Sequence, residues 1–180
     1  MARIVLTYGL ISGLVVIFGI MSTLVFDGDA PHSESWVGYL VMLVALSSIL
    51  VAIKQHRDRA LGGVITFRRA LAIGVGIAAV AGLAYVAVWE VYLAATDYRF
   101  MDDYTAQILA SKREAGVSGA AYQKAVAEME GMKRSYANPL FRVPMTFLEI
   151  FPVGLLISLV SAALLRNPRF LPARSRPATA

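Results

Sequence analysis

The chain has 180 residues, 58% of them hydrophobic and 16% charged, and a formal net charge of +5. Soluble domains are about 45–50% apolar, so this composition excludes an ordinary soluble fold and points to a small integral membrane protein. The absence of cysteine excludes disulfides, thiolate metal sites and thiol catalysis, and the arginines cluster at the ends of apolar runs, where orientation in a membrane rather than nucleic-acid recognition accounts for them.

Residues 4–26 form an unbroken apolar run after Arg3. It exceeds the about 7–15 apolar residues of a signal peptide and lacks a small-x-small cleavage pattern, so it reads as a retained first span. Gly9 and Gly13, with Ser12 between them, let a neighbouring helix approach closely. The turn DGDAPHSES (residues 27–35) has acids and no Lys or Arg, which suits the translocated side. Its His32 is expected to be solvated rather than a ligand. Residues 36–53 form a second span opened by Trp36 and Tyr39, rings that favour the headgroup level. Lys54, Arg57, Arg59, Arg68 and Arg69 then make a basic loop, which the positive-inside rule assigns to the cytoplasm together with the N-terminus. KQHRDR is read as that topology signal rather than a phosphate-binding patch, and His56 within it has no nucleophile to serve. Gly62 and Gly63 permit a bend before Thr66 caps the next helix.

The third span covers residues 70–95, with Gly74, Ala78 and Gly82 recurring as a close-packing stripe. Tyr85, Trp89, Glu90 and Tyr92 lie towards its far end, which a rise of about 1.5 Å per residue puts near the outer interface. Residues 97–137 are the one long polar insertion. Phe100, Met101, Tyr104 and Ile108 fall at helical spacing, as do Tyr122, Val126 and Met129, with a break at Gly116, Ser118 and Gly119. The pattern predicts an outer helical hairpin whose acids and bases nearly balance. Asn138 and Pro139 form a good helix start for a fourth span at 143–165, where Gly154, Ser158 and Ala162 repeat the small-residue stripe.

Glu149 and Pro152 interrupt that fourth span chemically. Pro152 has no N–H for the Leu148 carbonyl, so a kink is expected there, leaving an acceptor beside Glu149. A charge facing lipid is costly, so Glu149 is expected to face other helices, neutral or partnered. Helices three and four run in opposite directions, which places Glu90 within about 10 Å of Glu149 in depth and makes the two a candidate shared proton or cation site. After Arg166 comes a basic, Pro-rich tail, residues 167–180, with too little apolar content to fold; it is expected in the cytoplasm against anionic lipid.

GGVITFRRALAIGVGIAAVAGLAYVAVWEVY, the hairpin ending MKRSYANP, and TFLEIFPVGLLISLVSAALLR together resemble a bacterial membrane family catalogued as domain of unknown function 4199. The likeness is most specific in FLEIFPVG and leaves the tail after Arg166 outside. It implies four spans with a long insertion between the third and fourth, in a bacterial inner membrane, and implies no activity, substrate or cofactor.

The expected fold is thus all-α: a single membrane domain over residues 1–166, a four-transmembrane-helix bundle carrying an extra hairpin, with both termini cytoplasmic. No Ser/His/Asp set, H-E-x-x-H or G-x-S-x-G motif is present, so an enzyme is not expected. The expected role is structural or accessory. Its partners would be the bilayer and, through the hairpin, an envelope protein or a second copy, with no nucleic acid and no cofactor. The alternative is a small proton- or cation-coupled transporter or channel using Glu149 and Glu90.

Overall fold

The computed structural model describes residues 1–26 and 35–173. Among these the chain is all-helical: α1 (Ala2–Phe26), α2 (Ser35–Leu46), α3 (Ser48–Ala60), α4 (Phe67–Ala95), α5 (Phe100–Glu114), α6 (Gly119–Ala137) and α7 (Pro139–Leu165). Among the described residues four segments are long and apolar enough to cross a membrane: Ala2–Gly19 of α1, the stretch Gly38–Ala60, α4 and α7. The acidic turn at 27–34 with His32, the ring of Trp36, and residues 174–180 with Arg174 and Arg176 lie outside the described residues.

The second span is longer than its apolar run. α2 and α3 follow one another with only Ser47 between, and the Ser47 N–H still donates to the Leu43 carbonyl at 2.9 Å. Helix continues to Ala60, so the basic segment expected as a loop from Lys54 is the last turns of a helix. Lys, Gln and Arg are good helix formers, and Lys54 pairs with Asp58 one turn on at 2.5 Å. The bend falls afterwards, at Gly62 and Gly63, whose φ values of 64° and 91° need glycine.

Helix α4 is the centre of the bundle, packed between α1 and α7, and small residues set how closely. A Cβ added to Gly74 would stand 2.7 Å from the Ser158 Cβ, and one added to Gly154 would stand 2.6 Å from the Ala78 Cβ. Moving up α4 from Gly74 to Ala78 is moving down α7 from Ser158 to Gly154, so the two helices are antiparallel and in a fixed register. The α1 face is built likewise. Gly9 lies against Val80, and Gly13 against the Ala81 carbonyl and the Ala84 Cβ, so α1 and α4 run parallel. The Ser12 and Ser48 hydroxyls pair at 2.6 Å to join α1 to α3. Both expected stripes, Gly74–Ala78–Gly82 and Gly154–Ser158–Ala162, are buried in these seams.

Residues 167–173 depart from the unfolded tail expected there. Arg57 is fully buried on α3, and its guanidinium donates to the Phe170 carbonyl at 2.9 Å, to the Leu171 carbonyl, and to Asp58 at 2.7 Å. A buried guanidinium requires acceptors, and the start of the tail supplies two, while Phe170 packs on the core. The tail is therefore held by the bundle as far as Leu171.

Candidate functional site at the base of the hairpin

Continuing the α4–α7 register from Ala78 to Glu90 and, by the same number of residues, from Gly154 back to Arg142 brings an acid opposite a base. Arg142 Nε donates to Glu90 Oε1 at 2.7 Å and Nη2 to Oε2 at 2.6 Å. This is the two-pronged guanidinium–carboxylate geometry that gives the strongest charge-assisted pairs. The Arg142 side chain is 4% exposed and that of Glu90 27%. The remaining guanidinium nitrogen, Nη1, donates to the Tyr136 carbonyl at 3.1 Å. The rings of Tyr98 and Tyr136 stand 5.2 and 5.8 Å from the guanidinium carbon, within cation–π range.

Each of these residues is positioned by a helix end. α4 stops in a turn where the Tyr98 N–H donates to the Leu93 carbonyl at 2.8 Å, with Asp97 and Tyr98 at φ 51° and 57°. That left-handed pair is disfavoured for residues with a Cβ, and its effect is to fold Tyr98 back over Arg142. α6 ends at Ala137, and α7 starts at once: the Asn138 side chain accepts from the Leu140 N–H at 3.0 Å, with Pro139 at the first helical position. Tyr136 thereby lies beside Arg142, and its phenol oxygen accepts from Trp89 Nε1 at 2.7 Å. Burial holds the Tyr136 phenol above its usual range, so it stays neutral. Trp89 also meets Phe100 edge-on at 4.9 Å between ring centres, tying the start of α5 to α4. The hairpin is thus fastened to the bundle through its base, by the Arg142 bond to the Tyr136 carbonyl and a cluster of rings, beside the ion pair that joins α4 to α7.

The residues singled out in the sequence separate here. Glu90 belongs to Arg142. Glu149 lies on the outer face of α7 at the edge of the α4–α7 seam, exposed, with the Tyr85 hydroxyl donating to it at 3.4 Å. The two carboxylates have different partners, so the expected sharing is replaced by two separate interactions, Glu149 being partnered across the seam by Tyr85 of α4. Pro152 lies exposed within α7, which is helical on both sides of it and of Pro144. Arg142 was missed because it precedes the uninterrupted apolar run. The signal for it was a lone arginine in LFRVPM at the head of an apolar run, where a charge needs a partner. His56 lies on α3 with its Nε2 buried and without a partner among the described residues.

Fold and site together define a multi-pass helical membrane bundle in which a long hairpin between the third and fourth spans is locked to the adjoining ends of both. The chain belongs to a family of proteins of unknown function, DUF4199, whose model matches residues 7–167. No curated protein and no solved structure matches it.

Proposed function

We propose that this is a non-enzymatic membrane protein of a bacterial inner membrane whose α5–α6 hairpin, on the outer side, is an interaction surface for an envelope protein or a second copy of the chain. The observation that supports it is how little of the hairpin is used internally. α5 buries Met101 alone and α6 buries Ala125 alone, while the base is fastened through Tyr136, which Arg142 and Trp89 both bond. A rigidly mounted and otherwise free element suits capture of another molecule better than chemistry within the bundle. The Lys133–Asp102 ion pair and the 3.0 Å bond from Arg113 Nη2 to the Tyr122 hydroxyl show how the two hairpin helices are matched. Removal of residues 108–127, closed by a short Gly–Ser linker, spares that base. Site-specific crosslinking from the hairpin is expected to give discrete adducts in the intact protein, and the shortened protein should insert normally yet yield none from the remaining positions. Adducts unchanged by the deletion would refute the proposal.

A second reading, proton or cation movement, now rests on Glu149 alone. What favours it is an acid on a membrane-spanning helix with a single phenol as its donor, an environment in which intramembrane carboxylates are commonly functional. Vesicles reconstituted with the protein would then show a proton or cation flux that Glu149→Gln abolishes; equal flux from both proteins would eliminate this reading.

A further inference from the structure

At the opposite end of the bundle from the hairpin, the start of α1 and the end of α3 enclose a groove of about 340 Å³ lined by Met1, Arg3, Ile4, Thr7, Tyr8, Gln55 and Arg59. No carboxylate lines it. Its two guanidiniums differ from the other cations of α3: Lys54 and Arg57 are paired with Asp58, whereas Arg3 and Arg59 have no ion-pair or hydrogen-bond partner among the described residues. Between them the groove carries neutral hydrogen-bonding groups, the Thr7 hydroxyl and the Gln55 amide, the latter held by a bond of 3.3 Å from the Tyr8 hydroxyl.

We propose that this groove is a binding site for a phosphate-ester anion, held by Arg3 and Arg59 and supplied by the headgroup of an anionic lipid. Guanidinium forks match the oxygens of a phosphate, and these two line one groove that holds no carboxylate, Asp58 being engaged by Lys54 and Arg57. The lipid is favoured as source by depth. Both helices are membrane spans and the groove lies at their ends, which is the headgroup level. One turn further into each span, on the same stripes, come Ile11 and Val51, each about half exposed at 52%, an apolar continuation on which acyl chains can lie.

The test is native mass spectrometry and thermal melting of the full-length protein with phosphatidylglycerol or phosphatidylcholine, and separately with inorganic phosphate. Wild type is expected to retain phosphatidylglycerol and to melt higher with it than with phosphatidylcholine. Removing both charge-assisted forks, in Arg3→Gln/Arg59→Gln, is expected to lower the affinity at least roughly tenfold. The single Arg59→Gln, at an exposed and unpaired position, serves if the double variant does not purify. Arg68→Gln/Arg69→Gln removes the same charge from the exposed first turn of α4, outside the groove, and is expected to leave retention unchanged. Stabilisation by inorganic phosphate that disappears with the groove arginines would uphold the anion site and move its source to a soluble phosphate. Equal retention by wild type and groove variants, or an equal loss in the Arg68/Arg69 variant, would overturn the proposal, since the effect would then be general surface charge.

Discussion

Arg142, at the hairpin end of the bundle, is 3% exposed and satisfied by a carboxylate, a carbonyl and two ring faces. Breaking such a pair from one side leaves a charge uncompensated, at about 3–5 kcal/mol for a buried pair, whereas replacing both members with apolar groups is often close to neutral. Since Glu90 keeps some exposure, Glu90→Ala is expected to cost about 3 kcal/mol, read as a lower melting midpoint in detergent. Glu90→Ala/Arg142→Leu should recover more than half of that loss, a non-additivity that a double-mutant cycle reports directly. If the double variant is as unstable as the sum of the single changes, the pair is not the lock described. The sequence made half of this site legible. Counting residues along a helix gives depth, and depth suggested Glu90 and Glu149 as a pair. It does not give azimuth: Glu90 sits on the stripe continuous with Ala78 and meets Arg142, while Glu149 sits at the seam's edge with Tyr85.

Within the α4–α7 seam, glycine acts through its missing Cβ. The atom that a new methyl at position 154 would meet is the Ala78 Cβ at 2.6 Å, which is anchored to backbone and cannot swing away. Gly154→Ala should therefore push the helices apart, at about 1–3 kcal/mol for overpacking. Gly131, in the middle of α6, has nothing within 4 Å of the added carbon. There Gly131→Ala should stabilise by about 0.5–1 kcal/mol through helix propensity. Opposite signs from the same substitution, measured by thermal melting, would separate packing from propensity; destabilisation at both positions would contradict the seam geometry. These stripes were legible because small residues recurring every four positions along a span mark the line on which another helix packs closely. The helix ends were less so. Thr66 and Ser118 both stand at the residue preceding a helix, yet neither side chain makes a capping bond. The boundary of the second span was misplaced because hydropathy ends at Ile53 while backbone hydrogen bonding and the Lys54–Asp58 pair carry the helix on.

Across the whole molecule charge is divided between two ends. At the end away from the hairpin, Arg3, Arg57, Arg59, Arg68 and Arg166 are among the cations and Asp58 is the acid that accompanies them; in the hairpin, Asp102, Glu114 and Glu128 offset Lys112, Lys124 and Lys133. Positive charge within about 15–20 residues of span ends fixes orientation, and acids contribute little to it. Long insertions are less constrained, so the hairpin's own lysines do not compete with the arginines flanking α1, α3 and α4. The expected orientation puts the hairpin outside and both termini in the cytoplasm. The chain contains no cysteine, so a single introduced thiol reports without background. Lys112→Cys, at the far end of α5, should react with a membrane-impermeant maleimide in intact cells. Arg69→Cys, exposed on the first turn of α4, should react only after permeabilisation. The reverse pattern would put the hairpin in the cytoplasm and remove envelope proteins from its range of partners. The Glu90–Arg142 lock, which depends on register rather than on sidedness, would stand unchanged.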